Sequence, residues 1–270
     1  MGGLFSQSES VVNQLSNDEI CKLSFDEFKK YVDTNIIDMG ELLRNVCVCG
    51  TTEMLSYLFD IGCDINYIDK CKKSPLHYVC VYGNFDMLNF LTDKGANINC
   101  TDEDGQQPIH ILSFKNSQLT LKSFKHLIDN GADINCADQW GRRPIHYVCM
   151  TGDLEYIKFL TDNGAELNCA DNDGNRPIHY LYKCFYSFEA IKYIVNKNID
   201  LNCGNNDGKQ PIHLACRFGS FESIKYLVEN GADINAIDCD GHTPLYYLYV
   251  RCGGPCEIVD YFVKKGAKNI

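Results

Sequence analysis

Asp138-Gln139-Trp140-Gly141-Arg142-Arg143-Pro144-Ile145-His146 is the stretch whose reading decides the fold. The same frame of acid or amide, finger glycine, proline, aliphatic residue and histidine returns along most of the chain. Its prolines are Pro75, Pro108, Pro144, Pro177, Pro211 and Pro244, separated by 33, 36, 33, 34 and 33 residues. Self-similarity at that period is the signature of stacked repeats, and it outranks any local motif.

The physics of one unit follows from its residues. The Asp-x-x-Gly step is a tight turn, with the carboxylate binding backbone and glycine supplying positive φ. Proline then suits the first turn of a helix, where its missing N–H costs nothing. A short apolar first helix follows, as in Ile145–Met150, and Gly83, Gly152 and Gly219 break the chain eight residues after their prolines. The second helix carries apolar residues at helical spacing, as in Ile224, Leu227 and Val228. A second glycine (Gly95, Gly131, Gly164, Gly231, Gly266) caps it in the left-handed conformation. In the fifth unit Asn198 takes that place, the next best residue there.

These residues resemble the ankyrin repeat, whose pattern runs D-x-x-G-x-T-P-L-H, a helix, a glycine, a second helix and G-A-x-V-N. The resemblance spans residues 38–270 in seven units: 38–66, 67–99, 100–135, 136–168, 169–202, 203–235 and 236–270. It implies an all-α repeat solenoid, two antiparallel helices per unit, with β-hairpin fingers between neighbours. Departures are informative. Lys72 replaces the finger glycine in the second unit and should strain that turn, and Tyr246 stands where histidine is expected. Extra residues around Phe114–Leu121 and at Gly253-Gly254-Pro255 lengthen two inter-helix turns.

A net charge of −11 argues against sequence-independent nucleic-acid binding, which needs a basic footprint. No run of 18 apolar residues is present for a membrane helix, and the first 20 residues lack the apolar region of a signal peptide. Of the sixteen cysteines, Cys80, Cys149 and Cys216 occupy a position where the resemblance implies a small buried alanine, and cysteine acts there as a small hydrophobe. Cys100, Cys136, Cys169 and Cys203 each follow the asparagine that ends a unit. Stacked helices lie roughly 8–10 Å apart, beyond the roughly 7 Å Cα reach of a disulfide. Reduced structural thiols and a reducing, cytoplasmic compartment are therefore expected. The close pairs Cys47/Cys49 and Cys252/Cys256 lack a second half with zinc spacing, so no metal is assigned. Five histidines (His77, His110, His146, His179, His213) share one repeat position and read as scaffold. A Cys–His nucleophilic pair would make every copy equally eligible. No P-loop, nucleophile elbow or dinucleotide fingerprint occurs. No enzyme, catalytic residue or cofactor is expected.

Residues 1–37 precede the repeats. Ser16-Asn17-Asp18-Glu19 and Ser24-Phe25-Asp26-Glu27 are capping boxes, and a helix over Phe25–Val32 should cover the end of the first repeat. Met1-Gly2-Gly3-Leu4-Phe5-Ser6 fits the N-myristoylation pattern at Gly2. One such chain gives only marginal membrane binding, so membrane contact through Gly2 would be peripheral and reversible.

The resemblance implies that finger tips and first helices line a concave binding face. Tip residues include Gln139, Trp140, Asp104, Asp173 and Asp207. The adjoining row places Lys73, Arg142, Arg143, Arg176 and Lys209 together: five positive charges and no acid. Trp140, the sole tryptophan, flanked by Arg142 and Arg143, has the composition that dominates interface energetics. The expected function is a monomeric protein–protein interaction scaffold with a protein partner. The alternative is a substrate-recruiting adaptor for a ubiquitin-transfer complex.

Overall fold

The computed structural model describes residues 15–35, 37–114, 121–182 and 188–268. Gly2 and the centre of the insertion in the third unit lie outside them. Among the described residues there are sixteen helices and no strand. The N-terminal pair is α1 (Asn17–Ile20) and α2 (Phe25–Thr34), and the first repeat is α3 (Met39–Cys49) and α4 (Thr52–Asp60). The second and third repeats are α5 (Pro75–Tyr82) with α6 (Phe85–Asp93), and α7 (Pro108–Leu112) with α8 (Leu121–Asp129). The fourth and fifth are α9 (Pro144–Thr151) with α10 (Leu154–Asp162), and α11 (Pro177–Tyr180) with α12 (Phe188–Val195). The sixth and seventh are α13 (Pro211–Phe218) with α14 (Phe221–Glu229), and α15 (Pro244–Cys252) with α16 (Glu257–Lys264).

By internal contacts the chain divides into two units, residues 1–103 with 116–131, and 104–115 with 132–270. In the first, α1 packs on α3 and α3 on α5, while α2 packs on α4, α4 on α6 and α6 on α8. The N-terminal pair is thus built like a repeat. Both capping boxes form, and Ile20 and Phe28 are buried. Burying two such side chains stabilises by about 1.5–3 kcal/mol each, which seals the apolar end of α3 and α4. In the second unit, α7, α9, α11, α13 and α15 form one row and α10, α12 and α14 another. Within each unit, first helices stack on first helices and second on second, so apolar faces meet their equivalents in the next repeat.

The fingers differ from expectation. They contain no β-strands; those led by Asp69, Asp138, Asp171, Asn205 and Asp238 are tight turns nucleated by the leading carboxylate or amide. Asp138 Oδ1 accepts the Trp140 and Arg142 amides, both at 2.9 Å. Asp171 does the same for Asp173 and Asn175, and Asn205 for Asp207 and Lys209. One backbone bond then ties each finger to the next, as from the Asn172 amide to the Trp140 carbonyl at 2.9 Å. A single bond per neighbour makes no ladder. The close approach explains the glycines: a Cβ on Gly174 would lie 2.7 Å from the Asn206 nitrogen. Lys72 does adopt the strained positive φ of the missing finger glycine, at 57°, and Asn198 the expected left-handed cap, at 55°.

The histidines are scaffold. His110 Nδ1 accepts the Gln107 amide at 3.0 Å, and its Nε2–H reaches the Cys136 and Arg142 carbonyls at 3.1 and 3.2 Å. His179 links the Arg176 amide to the Lys209 carbonyl, and His213 links Gln210 to Ala236. Each ring therefore stitches its own helix start to the following finger. Unit-ending asparagines add a clamp: Asn135 Oδ1 accepts the Glu166 amide and its Nδ2 donates to the Gly164 carbonyl, both at 3.0 Å.

Candidate partner-binding surface

Trp140 stands at a finger tip and is 40% exposed. Its backbone is fully engaged in the turn and the inter-finger bond, so the ring is carried on a fixed stem. The Arg142 guanidinium lies 5.7 Å from the Trp140 ring centre and 5.8 Å from that of Tyr180. Arg142 Nε also approaches the buried Asp171 carboxylate at 3.7 Å. Asp171 in turn accepts the Tyr180 hydroxyl. A layered set of Trp140, Arg142, Tyr180 and Asp171 results, anchored from below by a buried acid.

The row of five cations is a correction to the sequence reading. Arg142 pairs with Asp171, Arg143 with Glu166 at 2.7 Å, Arg176 with Asp200 at 3.5 Å and Lys209 with Asp207 at 3.1 Å. Counting one repeat position at a time hides these acids. Glu166 and Asp200 come from exit turns and Asp171 from the next finger, which the stacking brings alongside, while Asp207 stands two residues before Lys209 in the same finger. Lys73 stands apart, in a cleft with Arg44, Tyr67 and Tyr78. At the tips, Gln139 donates to Asp104 at 2.7 Å, while Asp173 and Asp207 are exposed.

Two features escaped the sequence reading. The residue three after proline is often tyrosine, and its hydroxyl donates to the leading carboxylate of the finger: Tyr78 to Asp69, Tyr147 to Asp138, Tyr180 to Asp171, and Tyr247 to Asp238 at 2.6 Å. Burial alone would raise Asp238, but Tyr247 and the His242 and Asp240 amides outweigh it and hold the carboxyl below its ordinary range. The second feature is an open groove of about 480 Å³ between the sixth and seventh repeats. Phe218, Tyr246 and Val250 supply its apolar wall, with Arg217 and Arg251 at its edge. Tyr246 replaces the buried scaffold histidine and stacks on His242 with ring centres 3.8 Å apart. The signal was present as aromatic residues at outward-facing first-helix positions.

Stacking does bring cysteine beside histidine: Cys136 Sγ lies 3.7 Å from His110 Nδ1, and Cys169 Sγ 3.9 Å from His146 Nε2. The electrostatics run against a nucleophile. Burial pushes the Cys136 thiol up to about 12 and Cys169 to about 11, while burial lowers His146. A thiolate–imidazolium pair needs both shifts reversed. Asp238, Asp240 and His242 cluster within 4.8 Å, but both Asp238 oxygens are spent on the turn and on Tyr247. No helix among the described residues is long and apolar enough to cross a membrane.

Paired helices, Asx-nucleated fingers and histidine stitches repeated at one register define a helical repeat protein of the binding-module class. A family model for ankyrin repeats matches residues 42–122, 109–203 and 181–270, and the chain belongs to the ankyrin repeat family. Ankyrin repeats are generally protein–protein interaction modules and typically non-enzymatic. No curated protein matches this chain.

Proposed function

We propose that this chain is a non-enzymatic protein-binding scaffold that engages its partner through the finger and first-helix surface centred on Trp140. The observation that carries the reading is an exposed aromatic ring on a rigid turn, backed by Arg142 and flanked by Arg143. Tryptophan and arginine together dominate interface energetics. The partner presents an apolar side chain to Trp140. It also presents an acidic residue that competes with Glu166 for Arg143, since a surface ion pair of this kind is worth only about 0–1 kcal/mol and exchanges cheaply.

Gly2 extends the proposal. It lies outside the described residues, and its support is the Met1–Ser6 pattern alone. Acylation there would give a cytoplasmic protein reversible membrane contact. Intact-mass measurement from native cells decides it: a terminus that is only unmodified or acetylated removes the anchor.

The test of the scaffold reading has two stages. Affinity purification with mass spectrometry identifies the partner. Trp140→Ala should then weaken that complex by about 2 kcal/mol or more, roughly thirtyfold, with little change in thermal midpoint. Unchanged affinity, or a large fall in midpoint, returns Trp140 to the scaffold.

A further inference from the structure

The turn between α15 and α16 reads Cys252-Gly253-Gly254-Pro255-Cys256. It is an insertion relative to the other repeats, so the repeat architecture does not require its cysteines. Gly253 and Gly254 both take positive φ, 68° and 150°, which folds the end of α15 back on the start of α16. The two thiols face one another in side-chain contact. Cys252 is exposed and Cys256 half-buried, so both can be reached from solvent. Cys256 is the N-cap residue of α16, at the positive end of the helix. The contrast with the repeat-position cysteines is sharp. Cys80, Cys149 and Cys216 are fully enclosed, with thiols that burial holds protonated.

We propose that Cys252 and Cys256 form a thiol–disulfide exchange site that closes an intramolecular disulfide by reaction with a low-molecular-weight disulfide such as oxidised glutathione. Cys256 attacks as the thiolate, because the Cys252 thiol donates toward it and its place at the N-cap of α16 favours negative charge; the thiol is held below its ordinary range. One glutathione thiolate leaves, and a mixed disulfide stands on Cys256. Cys252 then loses its proton to solvent and attacks the Cys256 sulfur, expelling the second glutathione thiolate. The protein loses two protons and two electrons, and one glutathione disulfide becomes two glutathione thiols. The retained proton on Cys252, held above its ordinary range by the same contact, makes it the slower, resolving thiol. A two-thiolate metal site is the lesser reading, since among the described residues no third histidine, cysteine or carboxylate joins this pair.

The full chain, purified reduced, is equilibrated in glutathione buffers of rising oxidised fraction, quenched with acid, alkylated and mapped by peptide mass. The expected result is a 252–256 peptide lighter by two hydrogens, formed at a lower oxidised fraction than any other pair. Cys21/Cys49, whose side chains also adjoin, is the internal comparison. Cys252→Ser should halt the reaction at a glutathione adduct on Cys256. Cys256→Ser should abolish the disulfide and leave Cys252 the slower to be modified. Separate glutathione adducts on both residues of the unmutated chain, or prior oxidation of Cys21/Cys49, would overturn the proposal.

Discussion

His179 offers a sharp test of how this repeat stack is held. It is fully buried, takes the Arg176 amide on Nδ1 and donates from Nε2 to the Lys209 carbonyl at 3.1 Å. Both bonds suit the neutral ring, and burial lowers its pKa from 6.5 to about 4. The unfolded chain therefore binds a proton that the folded one refuses. The stability this carries is complete above pH 6.5 and is lost as pH falls toward 4. Linkage turns those two values into a loss of about 2 kcal/mol between pH 7.5 and pH 5, and about 3 kcal/mol by pH 4. Carboxylates titrate over the lower part of that range, so the effect must be isolated by difference. His179→Gln keeps an acceptor and a donor but cannot titrate. It should cost about 1–3 kcal/mol at pH 7.5 through imperfect hydrogen bonds. The gap between wild type and variant should then shrink by about 2 kcal/mol on going to pH 5. Urea unfolding followed by the fluorescence of Trp140, the chain's sole tryptophan, gives both curves. Hydrogen exchange over 177–180 localises the change. Parallel curves for the two proteins, or a wild type that gains stability as pH falls, would refute the role given to the buried neutral ring. His146 and His213 are lowered by burial too and should add acid lability of the same sign.

Tyr180→Phe should destabilise by about 1–3 kcal/mol, because Asp171 Oδ2 is buried and loses its hydroxyl donor; thermal unfolding measures it, and a neutral result would mean that water replaces the hydroxyl. Lys72→Gly should stabilise: relief of the left-handed strain is worth about 1–2 kcal/mol, offset by about 0.5–1 kcal/mol of glycine entropy, so the thermal midpoint should rise slightly rather than fall. Amide exchange should be faster in α1 and α16 than in α9 and α13, since α1 buries only Ile20 and α16 only Val259 and Phe262, whereas α9 and α13 each bury six residues; slowest exchange in α1 and α16 would contradict this.

The repeat, its register and its helix pairs were legible in the sequence because proline, glycine and histidine act locally. Proline sets φ at a helix start, glycine accepts positive φ, and each choice leaves its mark at the same offset in every copy. Even the exceptions could be read: Lys72 and Asn198 do adopt the strained conformations their positions demand. The candidate surface was legible only in part. Trp140 is exposed at a tip, as its position implied. The basic row was legible, but not its compensation, because Glu166, Asp171 and Asp200 come from elements that one-position counting cannot bring beside Arg143, Arg142 and Arg176. Strand fingers likewise gave way to turns, because a single inter-finger bond makes no ladder. The tyrosine–carboxylate bonds, the Phe218–Tyr246–Val250 groove and the facing Cys252 and Cys256 thiols were decided by tertiary structure. Local conformation depends on a residue and its immediate neighbours, whereas charge compensation, exposure and thiol proximity depend on which segments the stacking places within a few ångströms.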